Sequence, residues 1–131
     1  MKIRKVLDSY ALLAYLQGEG AGSTVKDALV SSEGGVLMNE INVGEVYYIL
    51  ARRRGRERAD FFLNAVLSNL PIRIVGNNFE AVVQAARIKA GHTLSYADCF
   101  AVATAQREDA SLLTGDPEFK AVASLVEIDW I

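Results

Sequence analysis

The sequence predicts an α/β sandwich built on a mainly parallel sheet of five strands. Three observations carry that expectation. Short apolar runs alternate with helical patterns along the whole chain. The runs do not alternate apolar with polar, as strands covered on both faces need not. Finally, 131 residues, 51% apolar and 23% charged with 2 Pro and 10 Gly, suit one globular domain over 1–131 and exclude a disordered or low-complexity chain.

The elements follow in order. Ile3–Leu7 reads as a strand. Ser9–Gln17 reads as a helix stopped at Gly18-Glu19-Gly20, a C-cap and turn signal. Ser23–Val30 is a short second helix. Gly34-Gly35 introduces the buried strand Val36–Met38. Ile41–Arg54 is a helix ending at Gly55, and Glu57–Asn69 another, halted by Pro71. Ile72–Val75 is a β-branched strand. Phe79–Ala90 is a helix ending at Gly91. Ser95–Glu108 is a helix whose centre, Cys99 to Ala103, is apolar all round and so belongs in the core. Ser111–Thr114 is a strand, Pro117–Ala123 a short helix and Val126–Trp130 the last strand.

Composition narrows function. With 14 Lys+Arg against 16 Asp+Glu, the net charge of -2 excludes a globally basic nucleic-acid binder. One Cys excludes an internal disulfide framework and a cysteine zinc site, and one His weakens a histidine-metal or triad reading. Asp8 interrupts the apolar run near the start, so no secretory signal is expected, and no apolar stretch reaches membrane-spanning length. The expected location is the cytoplasm.

Parallel sheets bind ligands beyond the carboxyl ends of their strands, where strand order reverses. Asp8 follows the first strand and Asp116 the fourth. Both also suit helix N-caps, with Pro117 at a first helical position. Ser95 and Asp98 resemble a capping box. Glu45 lies mid-helix among apolar neighbours, an unusual place for an acid without a partner. Carboxylates converging in one cleft repel, and a divalent cation with oxygen ligands, Mg²⁺ or Mn²⁺, relieves that.

Val6-Leu7-Asp8-Ser9, Asn42-Val43-Gly44-Glu45, Leu94-Ser95-Tyr96-Ala97-Asp98-Cys99-Phe100-Ala101 and Leu112-Leu113-Thr114-Gly115-Asp116-Pro117-Glu118-Phe119 resemble, in order, the acidic motifs of PIN domains. They are most similar to the VapC-type toxins of toxin–antitoxin pairs. The resemblance implies a three-layer α/β/α sandwich and a Mg²⁺- or Mn²⁺-dependent endoribonuclease. Asp8, Glu45, Asp98 and Asp116 then form the catalytic, metal-holding acidic site, with Thr114 in support and Asn42 pointing into it. Glu118 takes a supporting or structural place beside it. Glu40, a rival for the helix acid, fits the motif less well. A homodimer and a small antitoxin partner are also implied.

Arg52, Arg53, Arg54, Arg56 and Arg58 form the one basic cluster. It reads either as a solvated helix end complementing the helix dipole or as a contact for RNA phosphates. Without the four site acids, 14 basic residues face 12 acidic ones, a balance of +2 compatible with RNA. His92 is expected in a turn and Cys99 in the core. Tyr10, Tyr47, Tyr48 and Tyr96 are expected in core or interface packing, with base stacking as the other reading.

Two functions compete with an RNA nuclease. One is a non-catalytic PIN-fold module binding protein or RNA; the other is a DNA-directed nuclease, since the metal chemistry does not distinguish sugars. A receiver-like phosphoacceptor is disfavoured by the absence of paired acids after the first strand and of Lys in Val126–Trp130.

Overall fold

The computed structural model describes residues 4–18, 20–31 and 35–131. Ile3, Glu19 and Gly34, which the sequence places in a strand start and two turns, lie outside the described residues. The elements are β1 (Lys5–Leu7), α1 (Ser9–Gln17), α2 (Ala21–Ser31), β2 (Val36–Asn39), α3 (Glu40–Arg54), α4 (Arg56–Phe61), β3 (Ile72–Val75), α5 (Phe79–Gly91), α6 (Tyr96–Arg107), β4 (Ser111–Thr114) and β5 (Ile128–Trp130). The sheet is five-stranded in the order β3-β2-β1-β4-β5. Every pairing is parallel, so the sheet is wholly rather than mainly parallel.

Successive side chains leave a strand on opposite faces, and the two cores follow that rule. Val6, Leu37 and Leu112 pack with α5, α6 and the segment around Phe119 and Val122. Leu7, Met38 and Leu113 pack with α1, α2, α3 and Phe62. Helices therefore cover both faces, giving three layers. α6 is the central helix of its layer. Cys99 through Ala105 are all buried, which is why its middle carries no polar face.

The segment Glu57–Asn69 is helical but not one regular helix. After α4 the chain widens into a π-helical turn, Phe62–Val66, in which the Leu67 N–H reaches back to Phe62 O, and then tightens into a 3-10 turn, Leu67–Asn69. The wide turn keeps Phe62, Val66, Leu67 and Leu70 against the same core. Pro117–Val122 is likewise a 3-10 helix. The last strand starts at Ile128 rather than Val126, because Val126 is committed to the core below the sheet edge.

Two backbone devices hold the helical layers in place. Gly18 ends α1 in the left-handed region, φ 71°, with its N–H on Tyr15 O. Gly22 lets α2 approach α1 closely: a Cβ there would lie 2.5 Å from Ala14 O. On the other side, the fully buried Asn39 caps α3 through Ile41 N (2.9 Å). Its amide also bonds Thr104 Oγ1 (2.9 Å) and pairs with the Asn77 amide.

Gly22→Ala is expected to lower stability by about 1–3 kcal/mol by prising α2 from α1. Asn39→Ala is expected to cost roughly 2–4 kcal/mol, from a lost cap plus stranded buried amide and hydroxyl groups. Urea unfolding followed by circular dichroism measures both.

Candidate active site

The strand order turns at the centre of the sheet. β1 leads outward to β2 and β3, while β4, on its other side, leads to β5. The crevice between β1 and β4 at their carboxyl ends is where such sheets place ligands. Asp8 and Thr114 are the residues at its two lips. Leu7 and Leu113 are register partners, and one residue further on Thr114 Oγ1 donates to Asp8 Oδ2 at 2.5 Å. The other oxygen of Asp8 accepts from Ala11 N (2.8 Å) and caps α1. Thr114 Oγ1 in turn accepts from Asp116 N (3.0 Å), and Asp116 Oδ1 accepts from Glu118 N (2.9 Å), with Pro117 in the first turn of the 3-10 helix. The capping reading of these two acids is therefore correct, and it fixes their carboxylates at the crevice.

Asp98 arrives from α6. Its N–H donates to the N-cap Ser95 Oγ at 3.2 Å, which places it in the first helical turn, 7% exposed. Asn42 and Glu45 arrive from α3, one turn apart. Asn42 is fully buried and donates through Nδ2 to Ala97 O (3.0 Å), locking α3 to the residue before Asp98. Asn42 Oδ1 and Glu45 Oε1 are the buried side-chain oxygens or nitrogens without a hydrogen-bond partner among the described residues. Glu45 is close enough to Asp98 to raise its pKa.

One carboxylate oxygen each from Asp98, Asp116 and Glu118 lies within 4.8 Å of the others. Glu118, given only a supporting place by the sequence, thus stands in the tightest acidic group. The Asp-Pro-Glu spacing at a helix start was the signal: the Asp116 cap accepts from the Glu118 N–H, which keeps the two residues adjacent. Glu40 is not brought to the site. Its Oε2 accepts from Asn77 N (2.7 Å) and Nδ2 (3.3 Å), tying α3 to the loop after β3.

The arginines lie at the far end of α3. Arg56 pairs with Asp60 at 3.8 Å. Arg53, Arg54 and Arg58 line a groove with Leu13, Leu50 and Phe61. The Arg52 guanidinium carbon lies over the Tyr48 ring, 5.1 Å from its centroid. The tyrosines depart from core packing. Tyr10, Tyr48 and Tyr96 are exposed, while Tyr47 is partly covered, its hydroxyl donating to Asp60 (2.6 Å). The Tyr10 ring fills the space over Gly115, where a Cβ would meet it at 2.4 Å. Cys99 is buried in the core, and His92 Nδ1 lies 3.0 Å from Ile88 O at the end of α5; neither is part of the acidic cluster.

Burial sets the electrostatics. It pushes the Asp8 carboxyl up to about 7 against its hydrogen bonds to Thr114 and Ala11, with Asp98 and Asp116 adding repulsion. Burial likewise pushes Asp98 up to about 6, against Ser95, with Glu45, Asp116 and Glu118 adding to the rise. No Lys or Arg among the described residues hydrogen-bonds or ion-pairs with these acids. The donor set is all oxygen, it carries uncompensated negative charge, and two of its buried oxygens await a donor or cation. That combination fits a hard divalent cation.

The Asp8 carboxyl ordinarily ionises near 3.8 but here near 7. Between those values the folded chain holds a proton that the unfolded chain releases, so this group's contribution to stability falls as pH rises. In EDTA, Asp8→Asn is expected to gain roughly 2–4 kcal/mol over the native chain between pH 4 and pH 8. Urea unfolding at each pH reads the difference.

The sequence matches the PIN domain family over residues 5–125. No curated protein matches the chain. Solved structures similar to it include VapC20 of Mycobacterium tuberculosis, a sarcin–ricin loop cleaving toxin. That toxin is 22% identical, with a TM-score of 0.72, covering 90% of this chain and 94% of that one. DNA-bound VapBC of Salmonella typhimurium gives 15% identity and a TM-score of 0.75, covering 96% of each chain. FitAcB of Neisseria gonorrhoeae gives 19% and 0.71, covering 95% of this chain and 96% of that one. At such identities these structures speak for the fold. The family match spans β1 through the residues before β5, and with it the whole acidic crevice: the chain belongs to the PIN domain family.

Proposed function

We propose that this chain is a metal-dependent endoribonuclease, a single PIN domain over 1–131 acting as the toxin of a toxin–antitoxin pair. The observation that carries the reading is the convergence of buried, uncompensated carboxylates at the β1/β4 crevice. Family membership and the fold shared with VapC toxins support it. So does the fact that similar chains stand in toxin–antitoxin complexes, such as one from Klebsiella pneumoniae. On that likeness the partners are an RNA substrate, a small antitoxin and a second copy of the chain. No helix among the described residues is long and apolar enough to cross a membrane, which is compatible with work on cytoplasmic RNA.

Asp8, Glu45, Asp98 and Asp116 are the residues we assign to hold Mg²⁺ or Mn²⁺, with Asn42 Oδ1 and Glu118 beside them. When bound, the cation lowers the pKa of water and offsets charge on the phosphate. The chain supplies position. Asp8 is held at both oxygens, by Ala11 N–H and by the Thr114 hydroxyl. Thr114 also holds the backbone of Asp116, so one hydroxyl aligns two acids from opposite lips of the crevice. Asn42 braces α3 against α6, setting Glu45 relative to Asp98. Attack by water on phosphorus, in line with the departing ribose oxygen, breaks the phosphodiester and leaves one hydroxyl and one phosphate end.

Purified protein is expected to cut a structured RNA pool with Mg²⁺ or Mn²⁺ and to be silent in EDTA. A folded Asp98→Asn variant is expected to lose at least a hundredfold in rate, and Thr114→Val about tenfold. Equal cutting by Asp98→Asn identifies a contaminating nuclease and refutes the site. RNA binding without cutting in any metal identifies a binding module instead.

A further inference from the structure

α3 carries more than Glu45 and Asn42. Tyr48 and Arg52 follow Glu45 at spacings of three and seven residues, so the three share one face of the helix. Tyr48 is 46% exposed. Arg52 lies over its ring at 5.1 Å. No carboxylate among the described residues pairs with Arg52, whereas its neighbour Arg56 is engaged by Asp60. The exposed guanidinium thus sits over an aromatic ring with no carboxylate to neutralise it among the described residues. At 1.5 Å per residue it stands about 10 Å along the helix from Glu45. That is a few nucleotides of a strand rising about 3.4 Å each.

We infer that Tyr48 and Arg52 form a substrate subsite on α3, holding an unpaired nucleotide and its phosphate next to the acidic crevice. The inference rests on the RNA-nuclease reading and adds the class of strand the site takes. A cleft lined by Asp98, Asp116 and Glu118 repels a polyanion, so the strand must be held by cations outside it. Arg52 is the cation in line with Glu45. Stacking requires an open base face, which an unpaired strand offers and a duplex hides. A stacked guanidinium gives both a plane for the base and N–H donors for the phosphate. Tyr10 and Tyr96 are engaged elsewhere, by Gly115 and by the Phe100 ring, which leaves Tyr48 as the ring paired with a cation.

The test uses the full chain. Binding of a fluorescent single-stranded RNA pool is measured against salt in the Asp98→Asn background, and kcat and KM in the native background. Tyr48→Ala is expected to weaken binding and raise KM at least fivefold with kcat nearly unchanged, while Tyr48→Phe, which keeps the ring, stays within twofold of native. Arg52→Ala is expected to weaken binding similarly and to reduce the slope of log affinity against log salt by about 0.7; Arg52→Lys keeps the slope but not the full affinity. Lys26→Ala on α2 is expected to change neither. The same sequences annealed as duplexes are expected to bind more weakly and without response to Tyr48→Ala. Native-like KM and salt slope in both alanine variants, in a chain that cuts RNA, overturns the subsite and leaves the nuclease standing. A native chain that neither binds nor cuts RNA overturns both. Alanine variants that keep RNA affinity but lose a protein partner assign the surface to that partner and overturn the subsite.

Discussion

Leu7 and Leu113 lie side by side in the two central strands, and one residue beyond them the side chains of Asp8 and Thr114 are hydrogen-bonded. Much of the molecule depends on that contact. It closes the carboxyl end of the sheet where the strand order divides. It holds an acid that burial would otherwise disfavour. Through the second bond of Thr114, to Asp116 N, it ties the start of the 3-10 helix and hence Glu118 to the same point. A parallel sheet needs helices on both faces, and the starts of α1, α6 and the 3-10 helix each bring a carboxylate to this edge.

Helix caps and the acidic cluster are thus one device. Asp8 starts α1, Ser95 presents Asp98 at the start of α6, and Asp116 starts the 3-10 helix. A cap consumes one oxygen or one backbone group and leaves the rest of the carboxylate directed at the crevice. Rigid helix starts are better supports for charge than loops, because backbone bonds fix the side chain before any ligand arrives. The cost is visible in Asp8 and Asp98, whose carboxyls burial pushes to about 7 and about 6. A chain that keeps such groups without cationic partners accepts lower stability in exchange for a poised site.

Asn42 extends the same logic to the opposite layer. Its bond to Ala97 O joins α3 to the start of α6, and its remaining oxygen is left without a donor. Along the same helix Tyr48 and Arg52 turn outward, so α3 runs from buried acid to exposed cation within two turns. In the proposed nuclease, one helix then faces both the reacting phosphate and the strand that carries it.

Element order, most element limits and the places of Asp8, Asp98 and Asp116 after strands or at a helix start are legible in the sequence, because strand runs, Gly stops and cap spacing are local signals. Ile72–Val75 and Ser111–Thr114 read off directly. What remained hidden depends on neighbours distant in the chain. The π turn after α4 comes from packing Phe62 and Val66 on one core, which no spacing rule within that segment reports. The motif already favours Glu45 over Glu40, and the tertiary structure adds the reason: Asn77, far along the chain, engages Glu40. Glu118 joined Asp98 because a tight 3-10 start folds it back beside Asp116. Tyr48 lies outside the core because α3 buries its Val43 and Val46 face instead. Local patterns decide which residues begin and end elements; the three-layer packing decides which of their side chains meet.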